Sequence, residues 1–151
     1  LPESALTLKQ RRARILLAVD GGGGRRVPTD AAVAAVDAVN GLIAKYAAYY
    51  DVPASLVHRV VKKESGYNPR ARNGPYWGLM QIRHDTARSM GYRGDAAGLL
   101  DADTNLRYAV KYLRGAYIVA GYSQDGAVRN YQRGYYYDAK RKGLLKEAGL
   151  R

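Results

Sequence analysis

Apolar residues recur at helical spacing in successive segments of this chain, and this periodicity restricts the folds open to it more than any other feature. One stripe runs from Val33 to Ala47, a second from Leu56 to Val61, and a third from Leu106 to Ala120. Alternation of apolar and polar residues is not convincing anywhere, and only residues 76–82 are a candidate for a short extended segment. The sequence therefore predicts an all-α domain of about six helices.

Capping and breaking residues set the ends of these helices. Thr29 or Asp30 is the predicted N-cap of the first helix, and Gly66 is expected to end the second. Residues 94–100 contain two glycines and are predicted to be a loop. Residues 135–150 are predicted to form a last, basic helix.

The first 27 residues differ from the rest and are predicted to be an N-terminal basic extension. It ends in a linker around the four glycines of 21–24, which cannot hold a helix or a strand cheaply. A phosphate-binding loop is not predicted, because no Lys-Ser or Lys-Thr pair follows the glycines. The remaining residues, 28–151, are predicted to form one helical domain. No run of about 18 apolar residues is present, so no membrane-spanning helix is expected.

The charge of the chain points to polyanionic partners. There are 25 Lys and Arg residues against 13 Asp and Glu residues, a formal charge of +12. Anionic cell-wall polymers or an anionic membrane surface are therefore candidate partners. Specific nucleic-acid binding is not expected, because the basic residues are scattered and no recognition-helix motif stands out. The absence of cysteine excludes disulfides, cysteine metal sites and thiol nucleophiles.

Glu64 is the most informative ionisable residue, because it continues the apolar stripe of the second helix. The other glutamates, Glu3 and Glu147, lie near the ends of the chain. Burial at this position would disfavour the charged form of the carboxyl, and a carboxyl that stays protonated near neutral pH can act as a general acid. The alternative is a glutamate that turns toward solvent or pairs with Lys62 or Arg59.

Two motifs follow in order from this glutamate. Residues 64–69 read E-S-G-Y-N-P and residues 77–82 read W-G-L-M-Q-I. Further on come Asp101 and Asn105, and then a Tyr-Leu pair at 112–113. Over residues 40–137 this combination resembles the soluble lytic transglycosylase family, whose catalytic domain is lysozyme-like. Both motifs match without a gap.

The resemblance implies an enzyme that cleaves the β-1,4 bond between N-acetylmuramic acid and N-acetylglucosamine in peptidoglycan. The muramic C6 hydroxyl attacks in place of water and leaves a 1,6-anhydro end. Glu64 would be the single general acid and base, and no metal or cofactor would be needed. A chain with this activity is expected to be a monomer in the periplasm or outside the cell, although no targeting signal is present in these residues.

The resemblance also implies a set of substrate-binding residues. Ser65 would hydrogen-bond Glu64 or the substrate, unless its hydroxyl is bonded to backbone. Tyr131 would direct its hydroxyl at the catalytic carboxyl, unless it is a core tyrosine. The family typically reads Y-N-A-G where this chain has Tyr131-Gln132-Arg133-Gly134, so the sugar contact of Gln132 departs from the pattern. The full set of predicted substrate-binding residues is Ser65, Gly78, Leu79, Met80, Gln81, Tyr131 and Gln132.

Two alternatives remain open at the level of sequence. A lysozyme-type muramidase of the same fold would use water, and a second carboxylate would then be needed. The nearest candidates for that carboxylate are Asp51 and Asp85. A catalytically weak glycan- or polyanion-binding domain would use the positive charge and the 14 tyrosines.

His58 and His84 are predicted to be surface residues, because no metal-binding pattern includes them.

Overall fold

The structure, a computed structural model, describes residues 29–150. Six α-helices dominate these residues, and the predicted all-α class is confirmed. The predicted extension and linker, 1–27, lie outside the described residues. In chain order the elements are α1 (Asp30–Tyr49), α2 (Ala54–Ser65), β1 (Arg72–Asn73), β2 (Tyr76–Trp77), β3 (Ile82–Arg83), α3 (His84–Ser89), a 3₁₀ helix (Ala96–Leu100), α4 (Ala102–Val119), α5 (Gln124–Arg133) and α6 (Tyr136–Arg141).

The chain divides into two compact units within α1, the first ending at Gly41 and the second beginning at Leu42. In the first unit the hydroxyl of Thr29 accepts a hydrogen bond of 3.1 Å from the N–H of Ala32, so Thr29 is the N-cap of α1. All the candidate site residues belong to the second unit.

Among the described residues one helix, α1, is long and apolar enough to cross a membrane by length and composition. The helix contains no uninterrupted apolar run, because Asp37 and Asn40 interrupt its alanines and valines, and the sequence therefore did not indicate it. Core helices of water-soluble proteins and signal sequences meet the same criterion. The criterion therefore does not by itself assign α1 to a membrane.

Helix α2 presents the predicted apolar stripe to the interior, and its end is fixed by the backbone. Gly66 adopts the left-handed conformation at φ 57°, and its N–H donates to the carbonyl of Lys62 at 3.1 Å. Tyr67 follows at φ 66°, so two successive left-handed residues turn the chain away from the helix axis. Glu64 and Ser65 thus occupy the last turn of a well-terminated helix. The buried stripe consists of Leu56, Val57, Val60 and Val61.

A small antiparallel sheet follows α2, in the order β1-β2-β3. Arg72 pairs with Trp77 in the first ladder, and Trp77 pairs with Ile82 in the second. The guanidinium of Arg72 lies 3.8 Å from the ring centroid of Trp77, a cation–π contact across the strands. Each strand has two residues, which is too short to show alternation, and the sequence therefore indicated only the segment 76–82.

The core of the second unit is built around α4. Asp101 is its N-cap, since its carboxylate accepts from the N–H of Thr104 at 3.0 Å. Helix α5 packs along α4 and buries Ala127 and Val128. The fully buried residues of α4 include Leu106, Ala109, Val110, Leu113 and Ala116.

Two predicted boundaries are wrong. Residues 94–100 are not a simple loop, because Ala96–Leu100 form a 3₁₀ helix whose N-cap, Asp95, accepts from the N–H of Gly98 at 2.8 Å. The last helix is also shorter than predicted. It ends at Arg141, and Gly143 at φ 68° turns the chain where the helix would have continued.

Candidate active site

Glu64 lies in the last turn of α2 with its side chain partly exposed. Its Oε1 accepts a hydrogen bond from Nε2 of Gln132, on α5, at 3.4 Å. Neither Lys62 nor Arg59 pairs with it among the described residues, and Arg59 instead pairs with Asp125 at 2.7 Å. The carboxylate is therefore held by a neutral amide donor from a different helix, with room for solvent or a ligand on its free side.

The neighbouring hydroxyl of Ser65 faces the backbone. It donates to the carbonyl of Leu79 at 2.7 Å and lies 3.1 Å from that of Val61. Since a hydroxyl has one proton, the shorter contact is the stronger bond. Ser65 thus fastens the end of α2, and with it Glu64, to the segment that carries the second motif.

Gly78 opens that segment at a position where only glycine fits. Its φ is 73°, and a Cβ there would lie 2.3 Å from Nδ2 of Asn105 and 2.4 Å from the carbonyl oxygen of Leu99. The close approach allows Asn105, which is fully buried, to bond the backbone directly. Its Nδ2 donates to the carbonyls of Trp77 (2.8 Å) and Leu99 (2.9 Å). Its Oδ1 accepts from the N–H of Met80 at 3.0 Å.

The side chains of the second motif divide between core and groove. Leu79 and Met80 are fully buried and pack in the core. Gln81 lines the groove, but its amide is bonded within the loop: Nε2 donates to the carbonyls of Ala71 (3.1 Å) and Gly78 (3.0 Å). Its Oε1 accepts from Nδ2 of Asn73 at 2.8 Å. Of the four predicted residues of this motif, Gln81 is thus the one whose side chain reaches the groove.

Tyr131 is bonded to the second motif, and among the described residues its hydroxyl is not hydrogen-bonded to Glu64. Its hydroxyl donates to the carbonyl of Met80 at 2.7 Å. Burial around the hydroxyl raises its pKa well above the ordinary value, and the negative charge of Glu64 raises the pKa further. The phenol is therefore neutral at physiological pH and lies within electrostatic reach of Glu64. Its ring packs on Tyr112 with centroids 5.5 Å apart.

These elements enclose a groove with a cavity volume of about 290 Å³. Glu64 is not one of the lining residues, but Gln132 lines the groove and donates to it, so the carboxylate is joined to the groove margin through Gln132. Arg83 and Arg133 contribute positive charge. The lining residues are Tyr76, Gln81, Ile82, Arg83, Thr86, Tyr112, Tyr131, Gln132, Arg133 and Gly134.

The two candidate second acids are placed differently. Asp51 is exposed at the turn between α1 and α2, where it adopts φ 55°. Asp85 lies beside the groove, but its carboxylate accepts from Nε of Arg83 at 3.1 Å and from the N–H of Thr86 at 2.8 Å. Both hydrogen bonds tie the carboxylate to the local structure of α3.

The two histidines are partly buried rather than fully exposed. Nδ1 of His58 lies 3.0 Å from the hydroxyl of Tyr67, and Nε2 of His84 lies 2.9 Å from the carbonyl of Gly94. No group of three or more His, Cys, Asp or Glu residues able to hold a metal ion occurs within residues 29–150.

Sequence reasoning missed several groove residues and one positioning residue. Asn105 was part of a recognised motif, yet only the structure shows its amide inside the Gly78 turn. Arg133 carried a signal, because the typical motif has alanine at that position. Tyr112 belonged to the Tyr-Leu pair of the resemblance, and Thr86 carried no signal; the part of both in the groove depends on how α3, α4 and α5 meet.

Residues 41–148 match the family model described as Transglycosylase SLT domain. No solved structure matches the chain significantly.

Proposed function

The chain belongs to the transglycosylase SLT domain family, and we propose that it cleaves the β-1,4 bond between N-acetylmuramic acid and N-acetylglucosamine with Glu64 as the single general acid and base. Family membership makes it a transglycosylase-type protein that acts on peptidoglycan glycan strands. The bond cleaved, the 1,6-anhydro product and the proton carrier are the proposal.

The observation that carries the proposal is the placement of Glu64 at the groove margin, with one oxygen bonded to Gln132. An amide N–H donor supports the carboxyl in both protonation states, since Oε1 can accept whether or not Oε2 carries the proton. Oε2 accepts no hydrogen bond from a described residue, so it is the oxygen free to exchange a proton with the substrate.

The proposed reaction needs two proton transfers at Oε2. In the first, the protonated carboxyl of Glu64 donates its proton to the bridging oxygen as the bond from that oxygen to the muramic C1 breaks. In the second, the carboxylate takes the proton of the muramic C6 hydroxyl as its oxygen bonds to C1. Atoms and charge balance without water, and Glu64 ends in its starting form.

The lysozyme-type hydrolase is the alternative that a second carboxylate would favour. Of the two candidates Asp85 lies beside groove-lining residues, but Arg83 contacts both of its oxygens, at 3.1 and 3.4 Å, and the N–H of Thr86 donates to Oδ1 at 2.8 Å. A general base for water needs a free oxygen aimed at the reacting carbon. The geometry therefore supports attack by the substrate's own hydroxyl, and the weak binding-domain alternative gives no account of why Gln132 holds Glu64 at a groove.

Replacement of Glu64 by Gln tests the proposal. Glu64→Gln removes the exchangeable proton and keeps the shape of the side chain. We expect turnover of purified peptidoglycan to fall by about a thousandfold, within the usual range for loss of a general acid–base group. Glu147→Gln is the matched control, because it makes the same charge change at an exposed glutamate. Unchanged turnover in Glu64→Gln would refute the assignment.

We also propose that the protein works where peptidoglycan lies, in the periplasm or outside the cell, and acts as a monomer. The substrate supports the location, and a groove lined by residues of a single chain supports the monomer. Fractionation of producing cells and sedimentation of the purified protein test the two points. Recovery in the cytoplasm, or a stable dimer, would contradict them.

A further inference from the structure

Arg133 lines the groove and has N–H donors that no described residue accepts. It is the last residue of α5, and its side chain is 64% exposed. Its Nη2 donates to Oδ2 of Asp138 at 3.0 Å and lies 3.4 Å from Oδ1 of Asn130. These are the hydrogen bonds of its guanidinium among the described residues. The N–H groups on Nε and Nη1 are therefore left for a ligand.

The charge around Arg133 is not neutralised. Asp138 also accepts from Arg141, so one carboxylate is shared by two guanidinium groups and the cluster carries one excess positive charge. The other arginine that lines the groove, Arg83, is paired one to one with Asp85. The excess positive charge at the groove therefore lies at Arg133, whose guanidinium is bonded to Asp138.

We infer that Arg133 is a specificity residue that binds a carboxylate of the substrate, an inference that rests on the proposed function. Peptidoglycan carries carboxylates on the lactyl group of muramic acid and on the stem peptides, and both present the same planar anion. A guanidinium binds such an anion with two parallel hydrogen bonds. Because Arg133 and Gln132 line the same groove and Gln132 bonds Glu64, the carboxylate would be held in the groove that Glu64 serves.

Two pairs of ligands distinguish whether the bound carboxylate belongs to the lactyl group or to the stem peptide. The first pair is stem-free glycan oligomers with the lactyl carboxylate either free or converted to an amide. The second pair is stem-bearing oligomers with the stem carboxylates either free or amidated. Calorimetric binding is measured in the Glu64→Gln background, so that no turnover takes place. We expect the free form of at least one pair to bind about tenfold more tightly than its amide, the scale of one charge-assisted contact.

Arg133→Gln should abolish this preference. Arg141→Gln is the matched control, since it removes the same charge from the same Asp138 cluster at a residue outside the groove lining. Loss of preference in the first pair assigns the lactyl carboxylate, and loss in the second assigns the stem. Equal affinity for free and amidated forms in both pairs, or a preference that survives Arg133→Gln, would overturn the inference.

Failure of the proposed function gives a different result. A wild-type protein that degrades none of these oligomers would refute the transglycosylase proposal, while the binding preference would still report on Arg133. Added salt supplies a second readout, because an exposed ion pair is screened. The preference should shrink as ionic strength rises, both in the Glu64→Gln protein and in its Arg141→Gln derivative.

Discussion

Gln132 contacts the proposed catalytic carboxyl directly, because its amide is the donor to Oε1 of Glu64. We expect Gln132→Leu to lower kcat by about tenfold, the worth of one hydrogen bond to a charged group. The fold should be unaffected, since Gln132 is exposed. Steady-state kinetics on glycan oligomers measures the effect. In Gln132→Asn the side chain is one methylene shorter, so the hydrogen bond to Glu64 should be mostly lost and kcat should fall in the same way.

A control for this series exists on the same helix. Gln124 donates to the hydroxyl of Ser55 at the other end of α5, and Gln124→Leu should leave kcat unchanged. An undiminished kcat in Gln132→Leu would show that the amide does not act on the proton carrier.

The contact between Gln132 and Glu64 joins residues 68 positions apart, so no sequence pattern could have indicated it. The helical stripe, by contrast, did place Glu64 at the end of α2.

At the scale of elements, Asn105 connects α4 to the loop behind the groove. Asn105→Ala would leave the N–H of Met80 and the carbonyls of Trp77 and Leu99 without their buried partner. Unsatisfied buried groups cost about 1–3 kcal/mol each, and we expect the free energy of unfolding to fall by about 3 kcal/mol or more. Urea denaturation measures it.

Asn73→Ala is the comparison for that variant. Asn73 is exposed in β1 and loses one bond, to Oε1 of Gln81, so the free energy of unfolding should change by about 1 kcal/mol or less. Equal effects of the two substitutions would contradict the central position given to Asn105. The kinetic signature should also differ from that of Gln132→Leu, because a displaced loop alters KM together with kcat.

The elements that could be predicted are those with their own local signal. The stripes of α2 and α4 alternate with capping and breaking residues, and both helices are found as expected. The sheet could not be derived, because two-residue strands are defined by pairing and not by alternation. The 3₁₀ helix depends on the Asp95 cap, and the short α6 depends on Gly143, whose conformation the basic composition of that segment obscures.

At the scale of the whole molecule, buried tyrosines make stability depend on alkaline pH. Burial and the hydrogen bond to Asp103 raise the pKa of Tyr46 to about 12, and burial raises that of Tyr135 and Tyr131. The unfolded chain loses these protons near pH 10, whereas the folded chain keeps them. The stabilisation is therefore complete below about pH 10 and is lost as pH rises toward the folded values.

Urea unfolding midpoints measured from pH 8 to pH 12 test whether stability falls as the pH rises above about 10. Each retained proton should steepen the fall of the unfolding free energy by up to about 1.4 kcal/mol per pH unit. Tyr46→Phe should remove one such contribution, whereas Tyr137→Phe, at a residue 73% exposed, should leave the slope unchanged. A stability that stays level through pH 12 would contradict the burial assigned to these phenols.

The central claim is that the substrate's own C6 hydroxyl, deprotonated by Glu64, replaces water at the muramic C1. Digestion of purified peptidoglycan in water enriched in heavy oxygen, followed by mass spectrometry of the muropeptides, tests it most directly. The account predicts 1,6-anhydro muropeptides that carry no oxygen from the solvent. Reducing muropeptides, each with one solvent oxygen at C1, would contradict it.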